Sequence, residues 1–488
     1  MLTRRRLLTA TGVALCFAAL GRSREARARG RWGDPIPDPD GILDLPAGFS
    51  YAILETAGDL MSDGYKLPAR PDGMACFPGP DGTLILMRNH ENSVGAATGG
   101  PYADGQSAPP EAYNPKGMGG VSRLVIDAQT FARVSSNLVL IGTSRNCAGG
   151  PSPWGWLSCE ESVLIDGAYR HGYVFLCPTN ADTVQLPDRK LGYGRFFHEA
   201  AAIDPATNIA YLTEDRFDSC LYRFVPDDPA APFVGSLQAL KVVGEDKFPT
   251  TTLQLGAVLE VEWVTIDDPD PSTDSVRGQG HAKGAALITR GEGMWSVDGQ
   301  VFFTATTGGP LGLGQIFRLV DGAAPTLELL AHADDPTTLE MPDNITVAPW
   351  GELFLVEDGP ANNSIRWLGA DGQLCRFAST SLYELAGICF SPDARAMFVN
   401  IQVAGLTLVI TGPFVDDGGE EGGDGWAGDS EGGADPGAEG GTAAPPTEVG
   451  SACACSSVGE DPLDGSASTL AILTAAWVAT RPPKPGER

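Results

Sequence analysis

The 488-residue sequence contains few stretches with the 3.6-residue periodicity of amphipathic helices, which argues against a mainly helical fold. Glycine and proline are abundant instead, with 62 and 38 residues, and they interrupt short apolar runs along the chain. Short apolar runs bounded by turn residues are typical of β-strands. We therefore predict an all-β protein.

Basic residues are also scarce. The sequence has 33 Lys and Arg residues against 62 Asp and Glu residues, a formal net charge of −29. Such a field repels nucleic acid and anionic lipid, so we expect neither as a partner. The charge suits an exported protein or one that binds cations.

Several catalytic and binding motifs are missing from the sequence. It has no convincing Gly-rich nucleotide loop, no Ser–His–Asp order and no Cys-x-x-Cys zinc pattern. Its chemistry must therefore come from a different arrangement of side chains.

Residues 1–29 have the pattern of a twin-arginine (Tat-type) signal peptide. Arg4, Arg5 and Arg6 precede an apolar stretch at 7–20, and Ala26-Arg27-Ala28 offers a cleavage site with small residues at its first and third positions. The alternative, an uncleaved membrane anchor, needs a longer apolar stretch. We expect export by the Tat pathway, to the periplasm or the cell surface.

The rest of the chain divides by composition into three segments. A β-rich body occupies 42–415. The acidic, Gly-rich segment 416–450 has almost nothing to bury and is predicted to be a disordered linker. The tail, 451–488, has cysteines, a short apolar run and a basic end. This order resembles C-terminal sorting tags of some Gram-negative surface proteins, and a tail without function is the alternative.

Within the body, an apolar strand, a turn and a second apolar strand recur, which predicts β-hairpins. The clearest copies are residues 74–91, 201–215, 345–358 and 388–400. Repeated hairpins that cannot bury their faces alone imply stacking. We predict a six-bladed β-propeller with inserted loops.

Acidic residues recur where the second strands of these units end. The strand ends that carry them are Asn89-His90-Glu91, Cys159-Glu160-Glu161, Glu214-Asp215 and Glu357-Asp358. Corresponding strand ends of a propeller converge near its axis, where like charges repel unless a cation holds them. Oxygen ligands suit Ca²⁺ or ferric iron, and a thiolate indicates a transition metal. We infer that the rigid segment RNCAGGPSPWGWLSCEES, 145–162, presents Cys147 and Glu161 to a metal cluster.

Most of the body resembles the PhoX-type alkaline phosphatases. The resemblance is carried by Asn146-Cys147-Ala-Gly-Gly, Pro153-Trp154-Gly155, Cys159-Glu160-Glu161, His198-Glu199, Thr213-Glu214-Asp215, Arg290-Gly-Glu292-Gly, Pro342-Asp343-Asn344-Ile345 and Phe398-Val-Asn-Ile401. Members of that family are Tat-exported, monomeric six-bladed propellers. Their active site holds ferric iron and calcium ions, bound by a cysteine and several glutamates.

The resemblance implies a role for six residues. Cys147 would be the iron-ligating thiolate, and Arg290 would clamp phosphate through its guanidinium fork. The carboxylate metal ligands would be Glu161, Glu199, Asp215 and Glu292. The implied activity is metal-assisted hydrolysis of phosphomonoesters, with small-molecule phosphate esters as substrates and Fe(III) and Ca²⁺ as cofactors.

Alternatives remain open for individual residues. Cys147 is otherwise a buried free thiol or half of a disulfide with Cys159. Arg290 is otherwise part of a surface salt bridge, and Glu199 otherwise caps a turn. Four further cysteines lie on apolar strands and are expected in the core: Cys177, Cys220, Cys375 and Cys389.

Two competing functions also remain. One is a calcium-dependent lactonase or esterase, whose site needs one divalent cation and no thiolate. The other is a surface-displayed binding propeller whose metals are only structural. The acidic linker and the tail, which is expected to engage sorting or anchoring machinery, fit this second alternative.

Overall fold

The computed structural model describes residues 31–369, 372–382 and 384–415. The predicted signal peptide, linker and tail lie outside the described residues. No helix within the described ranges is long and apolar enough to cross a bilayer.

The described chain is built of 26 strands, which confirms the all-β prediction. In the first half they are β1 (Ser50–Thr56), β2 (Pro71–Pro78), β3 (Thr83–His90), β4 (Gly119–Asp127), β5 (Arg133–Thr143), β6 (Asn146–Ser152), β7 (Gly155–Glu160), β8 (Ile165–Asp166), β9 (Tyr169–Arg170), β10 (Val174–Cys177), β11 (His198–Ile203), β12 (Ala210–Glu214) and β13 (Tyr222–Pro226).

The second half contains the remaining strands and a short helix. The strands are β14 (Gly235–Val242), β15 (Val258–Thr265), β16 (Gly291–Val297), β17 (Gln300–Ala305), β18 (Gln315–Val320), β19 (Thr326–His332), β20 (Pro342–Val347), β21 (Leu353–Glu357), β22 (Asn363–Leu368), β23 (Leu374–Thr380), β24 (Leu385–Phe390), β25 (Ala396–Ile401) and β26 (Leu406–Thr411). Helix α1 is Val276–Ala282, and 3-10 turns occur at Pro80–Gly82, Leu191–Tyr193 and Thr250–Thr252.

Neighbouring strands pair antiparallel, and the four predicted hairpins are confirmed as β2–β3, β11–β12, β20–β21 and β24–β25. The first strand, β1, pairs with the last, β26, in a register that places Ser50 opposite Thr411. This pairing joins the two ends of the described body and leaves no free edge between them.

The first strands of the hairpin units lie side by side in a closed circle. Each of β2, β6, β11, β16, β20 and β24 contacts the next, and β24 contacts β2. We call these the inner strands. Their circular arrangement makes the fold propeller-like.

The number of blades does not follow from the sheets alone. Four sheets are separate and have the form of blades: β1-β26-β25-β24, β2-β3-β4-β5, β6-β7-β10 and β20-β21-β22-β23. Strands β11 to β19 form one continuous nine-stranded sheet, because β15 pairs with both β14 and β19. The prediction of six blades therefore stays a prediction.

Apolar side chains fill the space between adjacent sheets. An aromatic cluster joins the N-terminal lead to the C-terminal end of the described body, with Trp32 in edge contact with Phe49, Trp350, Phe377 and Phe414. Edge-to-face pairs of this kind add about 0.5–1.5 kcal/mol each beyond the area that they bury. The cluster therefore reinforces the closure made by β1 and β26.

Candidate metal and active site

The second residue of each inner strand defines the first of two rings of side chains. Five are acidic or carry a thiol, and all five are fully buried: Asp72, Cys147, Glu199, Glu292 and Asp343. In β24 the corresponding residue is Ala386. The register of each inner strand shifts at or next to this position, and such bulges re-aim side chains out of the regular pleat.

The residue that follows each second strand defines the second ring, which we call the outer ring, and the first ring is called the inner ring. The members of the outer ring are Glu91, Glu161, Asp215, Thr306, Asp358 and Gln402. The backbone N–H of each donates to the carbonyl of the residue before the neighbouring inner strand, at 2.9–3.2 Å. The same hydrogen bond at every position holds the two rings together at one end of the inner strands.

Several of the accepting carbonyls belong to residues with a strained backbone. Arg70, Arg145, Arg290 and Met341 have φ values of 50–54°, in the left-handed region that non-glycine residues rarely adopt. Such a conformation costs about 1–2 kcal/mol per residue. Because the strain recurs directly before the inner strands, it is part of how the fold builds the rings.

The charges of the two rings act on one another. Burial, then the Cys147 thiol and Glu292, raise the pKa of Glu199 well above its ordinary value. The pKa of Glu292 is also raised well above it, by burial and then by Asp215. Burial raises the pKa of Glu161 to about 8, although Arg145 opposes this shift. The structure thus brings together the thiol and the four carboxylates that the sequence predicted as ligands.

Cys147 is fully buried, and its sulfur contacts the start of β11. Its thiol donates to the carbonyl oxygen of His198 at 3.2 Å, and its sulfur lies 4.0 Å from the carbonyl oxygen of Glu199. No cysteine among the described residues forms a disulfide, so the alternative bridge between Cys147 and Cys159 is absent there. The four cysteines expected in the core are buried.

Arg290 lies among the carboxylates rather than on the surface, so the alternative of a surface salt bridge is wrong. Its Nε donates to Asp215 Oδ1 at 2.8 Å, and its Nη2 donates to Asp215 Oδ2 at 3.0 Å and to Glu292 Oε1 at 2.7 Å. The side chain is 3% exposed. In this arrangement Arg290 neutralises part of the acidic charge.

The last residues of several second strands face away from the rings, although the sequence analysis grouped them with the site. Glu160 accepts from the backbone N–H groups of Ser144 and Gly172. Glu214 accepts from the hydroxyl of Tyr222, and Glu357 pairs with Arg366. Since side chains alternate along a strand, only one of two adjacent carboxylates can face the rings. The other fastens a loop or a neighbouring strand.

Sequence reasoning missed other members of the site. Asp72 accepts from Gln402 Nε2 at 2.7 Å, and the same nitrogen donates to Glu91 at 3.0 Å. Burial, and then the charge of Glu292, raise the pKa of Asp343 well above its ordinary value. The sequence did contain a signal for Asp72 and Asp343, because β2 and β20 both begin with Pro-Asp.

Arg145 was also missed. It pairs with Glu91 at 3.1 Å and with Glu161, so a second arginine is placed among the acids of the outer ring. Its position directly before the Asn-Cys of β6 matches that of Arg290 before the Gly-Glu of β16. Comparison of these two inner strands would have indicated Arg145 as a member of the site.

The segment before Glu161 is braced as the sequence suggested. Trp156 Nε1 donates to Asn89 Oδ1 at 2.8 Å, and Asn89 Nδ2 donates to the carbonyls of Cys147 and Ala148 at 2.7 and 2.6 Å. A side chain at Gly150 would overlap the carbonyl of Ala201 in β11. The glycine therefore permits two inner strands to approach closely, and the indole fixes the strand that carries Cys147.

The two histidines near the rings are not charged. Burial lowers the pKa of His198 to about 3, and its Nε2 lies 3.0 Å from the carbonyl oxygen of Gly194. Burial and then Arg88 lower the pKa of His90 well below its ordinary value, and its Nε2 lies 2.8 Å from Ser122 Oγ. Both histidines act in packing and hydrogen bonding within their sheets.

The rings hold side chains of the types that bind metal ions. Within the described part of the chain, no three His, Cys, Asp or Glu side chains are arranged as they stand to hold one ion. However, Glu292 Oε2 and Asp343 Oδ2 are buried there without a hydrogen-bond partner. Buried carboxylates with raised pKa values next to a thiol are a donor set that a multivalent cation would satisfy. The side chains of the rings are therefore suitable ligands for a metal ion, and the ligand role of each individual residue stays a prediction.

The fold and the site together define a class: an all-β, propeller-like protein with buried acidic rings at one end of its inner strands. The family model of alkaline phosphatase PhoX matches residues 31–139 and 132–405. These matches span most of the described residues, and the chain belongs to this family. The predicted family membership is thereby confirmed.

Solved structures show similarity in fold. PhoX of Pseudomonas fluorescens, in complex with vanadate as a transition-state analogue, matches with a TM-score of 0.60 at 20% sequence identity, over 78% of this chain and 97% of that one. A gluconolactonase of Xanthomonas campestris matches with a TM-score of 0.40 at 11% identity, over 79% and 99% of the two chains. No curated protein matched the sequence.

Proposed function

We propose that this protein is a metal-dependent phosphatase that hydrolyses small-molecule phosphomonoesters. The observation that carries the proposal is the convergence of Cys147 with four carboxylates and Arg290 in two buried rings. Family membership supports it, and so does the vanadate complex of the Pseudomonas fluorescens protein, because vanadate there is a transition-state analogue of phosphoryl transfer.

The cofactors that we propose are ferric iron and calcium. The residues that would hold them are Cys147, Glu161, Glu199, Asp215 and Glu292. When bound, such ions polarise a phosphoryl oxygen and stabilise the charge that develops on the leaving group. The soft thiolate suits iron, and the oxygen donors suit either ion.

The remaining chemistry falls to side chains of the chain itself. Arg290 would contact the phosphoryl group through its guanidinium, once its present partners Asp215 and Glu292 turn toward a cation. Arg145 holds the Glu161 carboxylate in the outer ring. Burial of the inner ring excludes water from the acids, which strengthens every charge interaction there.

We also propose that the body is a six-bladed propeller. In this interpretation the nine-stranded sheet represents two blades, β11 to β14 and β16 to β19, which β15 joins. Support comes from the circle of inner strands and from the hydrogen bond that recurs between the outer ring and the residues before them. The protein is proposed to act as a monomer.

Export is part of the same proposal. The arginines and apolar stretch of residues 1–29 support transport by the Tat pathway, which carries folded proteins and would permit metal loading before export. A fusion of residues 1–29 to a reporter that fluoresces after Tat transport should label the periplasm. Replacement of Arg5 and Arg6 by lysine should retain the reporter in the cytoplasm, and periplasmic label in that variant would contradict the Tat assignment.

The activity can be tested on natively exported protein. Its iron and calcium content would be measured by elemental analysis, and its hydrolysis of p-nitrophenyl phosphate by release of p-nitrophenol. We expect both metals and a turnover that a chelator abolishes. Glu292→Gln is the matched variant, since it keeps the size of the side chain but removes one charge, and it should lose most activity.

The contrary outcomes point to the competing functions. Protein that contains both metals but turns over no aryl phosphate would contradict a phosphatase and favour a binding propeller. Hydrolysis of a lactone or carboxylic ester with calcium alone, retained in Cys147→Ser, would favour a lactonase or esterase.

A further inference from the structure

Arg216 is a second arginine beside the rings that the sequence did not single out. It follows Asp215 directly, at the start of a short turn between β12 and β13. The Arg216 carbonyl accepts from the N–H of Ser219 at 3.1 Å and from the N–H of Arg290 at 2.9 Å. Its backbone is therefore tied to the residue that the proposed function places against phosphate.

The guanidinium of Arg216 is held by an aromatic ring. Its Cζ lies 2.9 Å from the centroid of Phe197, the residue that precedes β11, and its Nη1 donates to the backbone carbonyl of Asp215 at 3.2 Å. Stacking over a ring fixes the plane of a guanidinium and leaves its N–H groups directed outward in that plane. The group is thus oriented before any ligand arrives.

Arg216 differs from the other arginines at the rings. Arg290 and Arg145 each bind two carboxylates, whereas Arg216 forms no ion pair with any of the residues that the structure describes. It is partly exposed, and Arg290 is buried. Burial lowers the pKa of Arg216, and Glu161 and then Asp215 oppose this shift, so the guanidinium lies near both acids while it keeps part of its surface exposed.

We propose that Arg216 binds an outward-facing oxygen of the phosphoryl group and so captures phosphate esters at the entrance of the site. This inference rests on the proposed phosphatase function and adds a residue that contacts the substrate. A planar fork with donors left over after the Nη1 hydrogen bond to Asp215 matches the oxygens of a phosphate, and its fixed orientation reduces the entropy lost on binding. Arg290, by contrast, becomes available only after its acids change partners.

Kinetics on metal-loaded protein give the first test. Arg216→Ala should raise KM for p-nitrophenyl phosphate about tenfold with a smaller change in kcat, because one charge-assisted contact to the substrate is lost. Arg216→Lys keeps the charge without the stacked fork, so its KM should lie between the KM values of the unmodified protein and Arg216→Ala. The control is Arg395→Ala, since Arg395 also lies over a phenylalanine, Phe131, but in a distant hairpin turn.

Binding of inorganic phosphate, measured by calorimetry on the same proteins, gives a second readout that does not need turnover. Arg216→Ala should weaken it at least tenfold, while Arg395→Ala should bind like the unmodified protein. If phosphate binds equally well to Arg216→Ala, or does not bind to the unmodified protein, the inference is overturned. If Arg216→Ala loses phosphate binding although the unmodified protein hydrolyses no ester, the inference stands and the proposed function fails.

Discussion

Arg290 and Asp215 form a bidentate ion pair at the edge of two buried acidic rings, with Nε–Oδ1 and Nη2–Oδ2 distances of 2.8 and 3.0 Å. Asp215 follows β12 and Arg290 precedes β16, so the pair links two hairpin units that lie about 75 residues apart in the chain. The same guanidinium also reaches Glu292. One guanidinium is thus shared by two acids, one from each ring.

Removal of this cation should destabilise the protein. Arg290→Ala leaves Asp215 and Glu292 buried without their partner, so we expect the free energy of unfolding of metal-free protein to fall by about 3 kcal/mol. Urea denaturation would measure it. Arg395→Ala, which removes an exposed ion pair with Asp393, should change stability by less than about 1 kcal/mol. Equal stability of Arg290→Ala and the unmodified protein would show that the acids are neutral.

Metal removal should lower thermal stability, because the ions would neutralise carboxylates that otherwise repel one another. Ions at a few hundred times their dissociation constant stabilise a fold by roughly 3–4 kcal/mol. Differential scanning calorimetry before and after chelation should show a lower midpoint, restored by iron and calcium together. A midpoint unaffected by chelation, in protein shown to have lost its metal, would argue against a metal centre in the rings.

The thiol of residue 147 should be required for iron. Cys147→Ser keeps a small polar group but loses the thiolate, and we expect the iron content per protein to fall at least tenfold. Elemental analysis gives the readout. Cys177→Ser changes another buried cysteine, remote from the rings, and should retain iron despite some loss of stability. Full iron content in Cys147→Ser would exclude this residue as a ligand.

The brace behind Cys147 should contribute strongly to folding. Asn89→Ala leaves the carbonyls of Cys147 and Ala148 and the indole N–H of Trp156 without their buried partner. Each such loss costs about 1–3 kcal/mol, so we expect a decrease of roughly 3 kcal/mol or more in the free energy of unfolding. The exposed Asn180→Ala should be neutral. A similar result for both variants would mean that the brace relaxes without cost.

Away from the rings, Glu55 should control acid stability. Glu55 is buried against Arg88, Ser136 and Arg133. Burial raises the pKa of Glu55, but these three partners lower it by more than burial raises it, so the net pKa lies below the ordinary value. A depressed folded pKa gives stability above the unfolded pKa, about 4.3 for Glu, and that stability is lost as pH falls through the folded pKa.

Glu55→Gln should therefore be less stable than the unmodified protein at pH 7, by about 3 kcal/mol, and the difference should shrink toward pH 3. Thermal midpoints across this range test the prediction. Glu260→Gln, at an exposed site, should follow the unmodified protein at every pH. A constant difference between Glu55→Gln and the unmodified protein would mean that the carboxylate does not titrate in this range.

The sequence by itself determined the all-β class, the hairpins and the family, because these depend on short-range patterns, and it named five side chains that the structure places in the rings. Alternating apolar runs and turn residues specify strands and hairpins locally. Cys147, Glu161, Glu199, Asp215 and Glu292 stand in motifs that can be recognised without knowing what lies next to them.

Only the tertiary structure decided which side chains meet. Closure of the inner strands places Asp72 against Gln402, although the two residues are 330 positions apart in the sequence. No pattern within a short segment of the sequence relates residues so far apart. The bulges of the inner strands, and the arginines with a left-handed backbone conformation before them, determine which of two adjacent acids faces the rings, as with Glu160 and Glu161. The register between paired strands and the contacts between inner strands depend on segments far apart in the chain, so the composition of the rings became visible only when the circle was closed.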